Sequence, residues 1–354
     1  MAGHNEKIDL YVDCVLNEAQ LRKSEIHDMP LHTVYFGGGT PSLLSIEQVS
    51  KLVLGLREVF DFSNVQEFTF EVNPDDVTID YIHALRELGV NRISMGIQSF
   101  DDEELKLINR RHDSNQAIQA VNTIRQCGIE NISVDLIYGI PKQSLNTWKS
   151  NVEKALTLGI QHISAYSMMY EKGTRLWVMR EKGAIREIEE DESLAMYEYL
   201  VDRLRGAGFE HYEISNFAYP GFRSQHNSNY WNLTPYLGLG AAAHSYDGIV
   251  RRFNPSNLNK YIEALNNQKC VFEEEEETLT EKYNEYVMIR MRTSEGCDAN
   301  NVLSLFGKKY HDYFIKQANN FIATNELMKE NSNYYIPENK IMVTDSITRE
   351  LFYE

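Results

Sequence analysis

The 354 residues are 42% hydrophobic and 25% charged, with a formal charge of −17, a balance that suits one large α/β domain plus a smaller unit. So acidic a chain excludes a general nucleic-acid binder, because neutralising a phosphate backbone needs clustered Lys and Arg. No apolar run approaches the roughly 18–20 residues that cross a bilayer, which excludes an integral membrane protein built on helical spans.

Four scattered cysteines, Cys14, Cys127, Cys270 and Cys297, offer neither a disulfide framework nor a CxxC metal motif. No basic, apolar leader opens the chain. A cytoplasmic location is therefore expected.

Hydrophobic periodicity predicts an amphipathic helix over 8–26 and a strand over 32–36. That strand runs into Gly37-Gly38-Gly39-Thr40-Pro41-Ser42. Three glycines expose backbone N–H groups beside a following helix, a geometry suited to a small ligand with polar or charged groups. Ser45-Ile46-Glu47-Gln48 reads as a capping box for a helix over 46–59. Strands follow at 68–72, 92–97, 132–137 and 162–166, with helices at 78–88, 101–109, 115–126 and 145–158 between them. A helix over 190–206 and a short strand over 212–214 complete the series.

This alternation predicts βαβ crossovers and a parallel sheet forming a partial (β/α) barrel over 1–216. The working face of such a fold lies at the C-terminal strand ends. Gly37 to Thr40, Glu71, Gln98, Asp135 and Tyr166 fall at or near those ends.

A Gly- and aromatic-rich connecting region follows over 217–277, with a helix at 256–267. It closes on the acidic run Glu273 to Glu277, read as a solvated linker. The remainder, 278–354, reads as a smaller, mostly helical, winged-helix-like domain. Its helices are expected at 279–293, 299–306 and 309–325, then a strand pair around 333–343 and a short terminal helix.

Taken in order, Tyr35-Phe36-Gly37-Gly38-Gly39-Thr40-Pro41-Ser42, Glu71-Val72-Asn73-Pro74, Ser94-Met95-Gly96-Ile97-Gln98-Ser99-Phe100, Asn109-Arg110-Arg111-His112 and Asp135-Leu136-Ile137-Tyr138-Gly139-Ile140-Pro141 resemble one known set. It is that of the radical S-adenosylmethionine (SAM) proteins related to oxygen-independent coproporphyrinogen III oxidase. His226-Asn227-Ser228-Asn229-Tyr230-Trp231 and the stretch from Tyr236 to Ser245 are similar to the haem-chaperone (HemW) branch. The family's opening strand and its CxxxCxxC loop, which holds a [4Fe–4S] cluster, have no counterpart in the sequence, and Cys14 cannot replace three ligands.

The resemblance implies that Gly38, Gly39 and Thr40 contact the methionyl part of SAM. Chemistry suggests Glu71 for its amino group, Arg110 for its carboxylate, Gln98 as donor and acceptor, and Asp135 for ribose hydroxyls. For haem, the candidates are His226 and Asn227 with Tyr230 and Trp231 as an apolar wall; His226 is preferred over His244 as iron ligand. The competing reading of each histidine is a hydrogen-bonded packing residue.

Three functions stay open at this point. One is a chaperone that binds haem and SAM and delivers haem to acceptors, including membrane-associated respiratory proteins. The second is a coproporphyrinogen-oxidase-type enzyme, and the third a non-catalytic protein acting by contacts.

Overall fold

A computed structural model describes residues 2–26 and 29–354. In chain order, α1 (Ala2–Arg22), β1 (Thr33–Phe36), α2 (Ile46–Val59), β2 (Glu67–Val72), α3 (Ile79–Glu87) and β3 (Arg92–Gln98) alternate. Then come α4 (Asp102–Leu107), α5 (Ser114–Gln126), β4 (Asn131–Tyr138), α6 (Leu145–Thr157), β5 (His162–Ser167), α7 (Arg175–Glu181) and α8 (Glu190–Gly206). The sheet order is β1-β2-β3-β4-β5, extended by the antiparallel hairpin of β6 (Glu210–Glu213) and β7 (Asn216–Ala218). Strands laid down sequentially, with no reversal of order, are wound like a β/α barrel and not like a doubly wound sheet. The predicted α/β class and partial-barrel plan hold.

The strands alternate in chemistry although both faces are largely buried, with Glu67, Thr69, Arg92 and Ser94 as inaccessible as their apolar neighbours. Phe68, Phe70, Val72, Ile93, Met95 and Ile97 point one way and are buried. Glu67, Thr69, Glu71, Arg92, Ser94 and Gln98 point the other way, in the residue-to-residue register Thr69 to Arg92 and Glu71 to Ser94. One face is thus a hydrocarbon core and the other a row of polar groups.

The chain divides into two compact units. The first takes the chain up to Met95, Gln119–Ile132 and Ser224–Glu276. It adds α9 (Gln225–Trp231), β8 (His244–Tyr246), β9 (Arg251–Phe253), α10 (Leu258–Asn266) and β10 (Glu273–Glu275). Here α1 packs on α2 and α10, with Val12, Val15, Leu52, Tyr261 and Leu265 at the join.

The second unit takes Gly96–Ile118, Ser133–Arg223 and Glu277–Glu354. Its distal part holds α11 (Leu279–Met291), β11 (Cys297–Asp298), α12 (Ala299–Phe306), α13 (Lys308–Ala323), β12 (Met328–Glu330), β13 (Asn333–Tyr335) and α14 (Thr344–Glu350). This part is mostly helical, with four helices and a small antiparallel sheet in the order β11-β13-β12.

Several local expectations are corrected. The first helix begins at Ala2, because its polar opening turns carry no hydrophobic period to reveal them. The acidic run is not a plain linker: Glu273–Glu275 form β10 against β9, where Glu274 meets Arg252 at 2.8 Å, although all three glutamates are exposed. Opposite charges across a strand pair supply the pairing that composition alone conceals. The late hairpin lies at 328–335, turning at Asn331 (φ 56°), and Glu338–Val343 is a short 3₁₀ segment. Asp135 sits inside β4, paired with Ser164, and not at its end.

Candidate functional site

In the first unit, the conspicuous site grows from β1 outward. Gly37 has no room for a side chain: a Cβ there would overlap the Tyr35 ring and the Glu71 carboxylate. That closeness lets Tyr35 Oη donate to Glu71 Oε1 at 2.6 Å while Gly38 N donates to Glu71 Oε2 at 3.1 Å. Gly38 occupies the left-handed region (φ 87°), and both Gly38 and Gly39 face open space. A 3₁₀ turn, Pro41–Leu43, separates these glycines from α2, whose N-cap is Ser45 in the expected capping box. The helix thus opens at Ser45, as expected, with the 3₁₀ turn between it and the glycines.

Gly37→Ala is expected to part Tyr35 from Glu71 and to lower stability by about 1–3 kcal/mol, the usual penalty of overpacking. Chemical denaturation measures it; an unchanged midpoint would contradict this crowding.

The segment His226 to Trp231 lies in α9, and its position is set by a residue that sequence reasoning passed over. Buried Glu67 accepts from Gln225 N and His226 N, both at 2.9 Å, and lies 4.0 Å from Arg92. A carboxylate beneath unpaired N–H groups at a helix start fixes where that helix begins. No local motif announces Glu67, since its partners are about 160 residues away.

Seated this way, α9 turns His226 and Tyr230, four residues apart, to one side. His226 Nδ1 pairs with Thr33 Oγ1 at 2.9 Å and Nε2 with Tyr230 Oη at 2.9 Å, while the ring stacks on Tyr35 at 4.8 Å. Burial, then the charge of Arg92, pushes the imidazole pKa down to about 4, so it is neutral at physiological pH.

A cavity of about 520 Å³ runs along β1 within this unit. One end is walled by Val15, Phe36, Leu52, Leu56, Phe60 and Phe62. The other meets Tyr35, Gly37 to Thr40, His226, Tyr230, Tyr236 and His244. Among the described residues no Lys, Arg, Asp or Glu lines it. The volume is within the range typical of small-molecule and cofactor sites, and the lining is that of a host for a flat apolar molecule. Gly38, Gly39, Thr40, His226 and Tyr230 are thus brought to one cavity, with Glu71 bonded to its rim. Asn227 and Trp231 do not line it, because they fall on the next face of α9.

The other expected SAM residues belong to the second unit. Gln98 ends β3 in a γ-turn, with φ 70° and Ser99 N donating to Ile97 O at 2.9 Å. Such a strained conformation in a non-glycine residue is a recurrent mark of ligand-facing positions. Arg110 Nη2 donates to Gly96 O at 3.2 Å and His112 pairs with Ile97 O at 3.0 Å, so both hold the turn after α4 against β3. Asp135 shares its strand face with Ser133 and Ile137.

A three-thiolate cluster does not fit the described residues. Cys14, Cys127 and Cys297 are buried in separate elements, burial raises their thiol pKa values, and no group of three His, Cys, Asp or Glu side chains is arranged for a metal.

Comparison with known proteins agrees with this architecture. The radical SAM superfamily profile matches residues 15–155. The heme chaperone HemW of Lactococcus lactis is 39% identical over 76% of this chain and 70% of that protein. The heme chaperone HemW of Bacillus subtilis is 32% identical over 88% and 82%. Coproporphyrinogen III oxidase (HemN) of Escherichia coli, a radical SAM enzyme, superposes with a TM-score of 0.81 at 21% identity, covering 98% of this chain and 83% of that one. The oxidase likeness establishes the radical SAM half-barrel fold. The chain belongs to the HemW family within that superfamily.

Proposed function

We propose that this protein is a haem chaperone: it binds haem in the cavity along β1 and passes it to acceptor proteins, membrane-associated respiratory proteins among them. The observation that carries the reading is the lining itself. It is apolar and aromatic, free of charged side chains among the described residues, and supplied with two imidazoles at one end. A porphyrin face needs apolar contact, and an imidazole nitrogen is a common ligand for its iron. SAM is the second ligand, with Gly38, Gly39 and Thr40 at its methionyl part and Glu71 at its ammonium group.

Among the described residues no helix is long and apolar enough to cross a membrane. The proposed place of action is the cytoplasm, where haem would be collected and handed on.

Ferric haem titrated into the protein should give a saturable, red-shifted Soret band distinct from that of free haem. A spectrum identical to free haem would refute haem carriage. SAM at a hundred times its dissociation constant should raise the unfolding free energy by about 2.7 kcal/mol. No shift at millimolar SAM would remove SAM from the assignment without touching haem.

A further inference from the structure

The two histidines of the cavity are not equivalent. His226 has both ring nitrogens engaged, with Thr33 and Tyr230, and its face is taken by Tyr35. To bind a metal it would have to surrender its hydrogen bond to the half-buried Thr33 hydroxyl or to the Tyr230 phenol. It is built as a wall.

His244 is the opposite case. It opens β8, is exposed, lines the same cavity, and has no hydrogen-bond partner among the described residues; its ring only stands edge-on to Phe253 at 4.6 Å. Its backbone is nevertheless firmly placed. The strand pairs with β9, matching His244 to Phe253. Gly238 packs so closely on the His244 carbonyl that any Cβ there would overlap it. Ser245, the next residue, accepts from Gly238 N at 3.0 Å and from buried Arg22 Nη2 at 2.9 Å. With neither ring nitrogen committed among the described residues, on a fixed backbone and facing an apolar cavity, this imidazole can offer one nitrogen to a metal and leave the other to water.

The geometry points to His244, and not His226, as the protein ligand to haem iron, with His226 and Tyr35 forming an aromatic wall. This assignment rests on the haem-carrier reading and names the coordinating atom within it.

The test is a ferric-haem titration of wild-type protein, His244→Ala and His226→Phe, read by optical absorption and electron paramagnetic resonance, with melting curves to verify folding. His244→Ala is expected to lose the histidine-ligated spectrum and to bind haem roughly 10- to 100-fold more weakly. Added imidazole should restore the band in that variant. His226→Phe should keep the histidine-ligated spectrum at reduced affinity. If His226→Phe loses that spectrum while His244→Ala keeps it, or if neither variant changes it, the assignment is overturned. Should wild-type protein itself show no Soret shift, the haem-carrier reading falls first and this one with it. If His226→Phe melts early, His244→Ala with imidazole rescue decides alone.

Discussion

Glu18→Ala should destabilise the first unit by about 3–5 kcal/mol, the range found when one member of a buried, hydrogen-bonded ion pair is removed. Glu18 is 1% exposed, and its carboxylate is fully used. Oε1 accepts from Arg22 Nη1 at 2.8 Å and Asn254 Nδ2 at 2.6 Å; Oε2 accepts from Gly240 N at 2.8 Å and Tyr261 Oη at 2.7 Å. Burial, then the charge of Glu18, holds the Tyr261 phenol far above its ordinary pKa, so it remains a donor. Deleting the carboxylate leaves four buried donors short of an acceptor, while among the described residues Arg22 keeps its pairing with Glu25 as an ionic contact.

Folded domains are stable by about 5–15 kcal/mol, so such a loss is a large share of the total. Urea unfolding followed by Tyr and Trp fluorescence measures it. A change below about 1 kcal/mol would show that the network is already wet or loosely held. The same variant should weaken haem binding, because Glu18 and Arg22 fix the loop that ends in His244.

The second large effect is a dependence on pH. His226 has a pKa of about 4 in the folded protein against 6.5 when unfolded. Between those values the unfolded chain binds more protons than the native one, so stability falls as pH drops from 6.5 and levels off below 4. The full difference of 2.5 units corresponds to about 3 kcal/mol.

Glu213 acts in the opposite sense. Burial raises its carboxyl from 4.5 to about 7, so the native state binds the extra proton and stability declines as pH rises across that window. The wild-type curve therefore mixes two slopes, and the comparison must be a difference. His226→Gln minus wild type should shrink or reverse steadily between pH 6.5 and 4 and be flat above 7. A difference independent of pH would show that His226 is not titrating as a buried, neutral ring.

How much of this was legible in the sequence follows the range of the interactions. The glycine turn, the capping box of α2 and the order of strands are local or periodic signals, and they placed β1 to β5 within a residue or two. The polar strand face was legible as well, because period-2 alternation puts Glu71 and Gln98 on one side. The cavity was not. Its walls come from residues 15, 36, 62, 226 and 244, and Glu67, Thr33, Glu18 and Arg22 act through partners about 160 to 240 residues away. No spacing rule reaches that far. For the same reason His226 looked like the better ligand: its motif is conspicuous, but only coordinates reveal that both its nitrogens are spent.

The partners of Glu18 carry a consequence for how the molecule is made. Gly240 lies 222 residues and Tyr261 243 residues downstream of it. On a ribosome adding about 5–20 residues per second, α1 waits roughly 10–50 s before its buried acid meets those donors. Throughout that interval the cavity lacks the wall that runs from His226 to His244. Nascent chains at this stage are where a folding helper is needed.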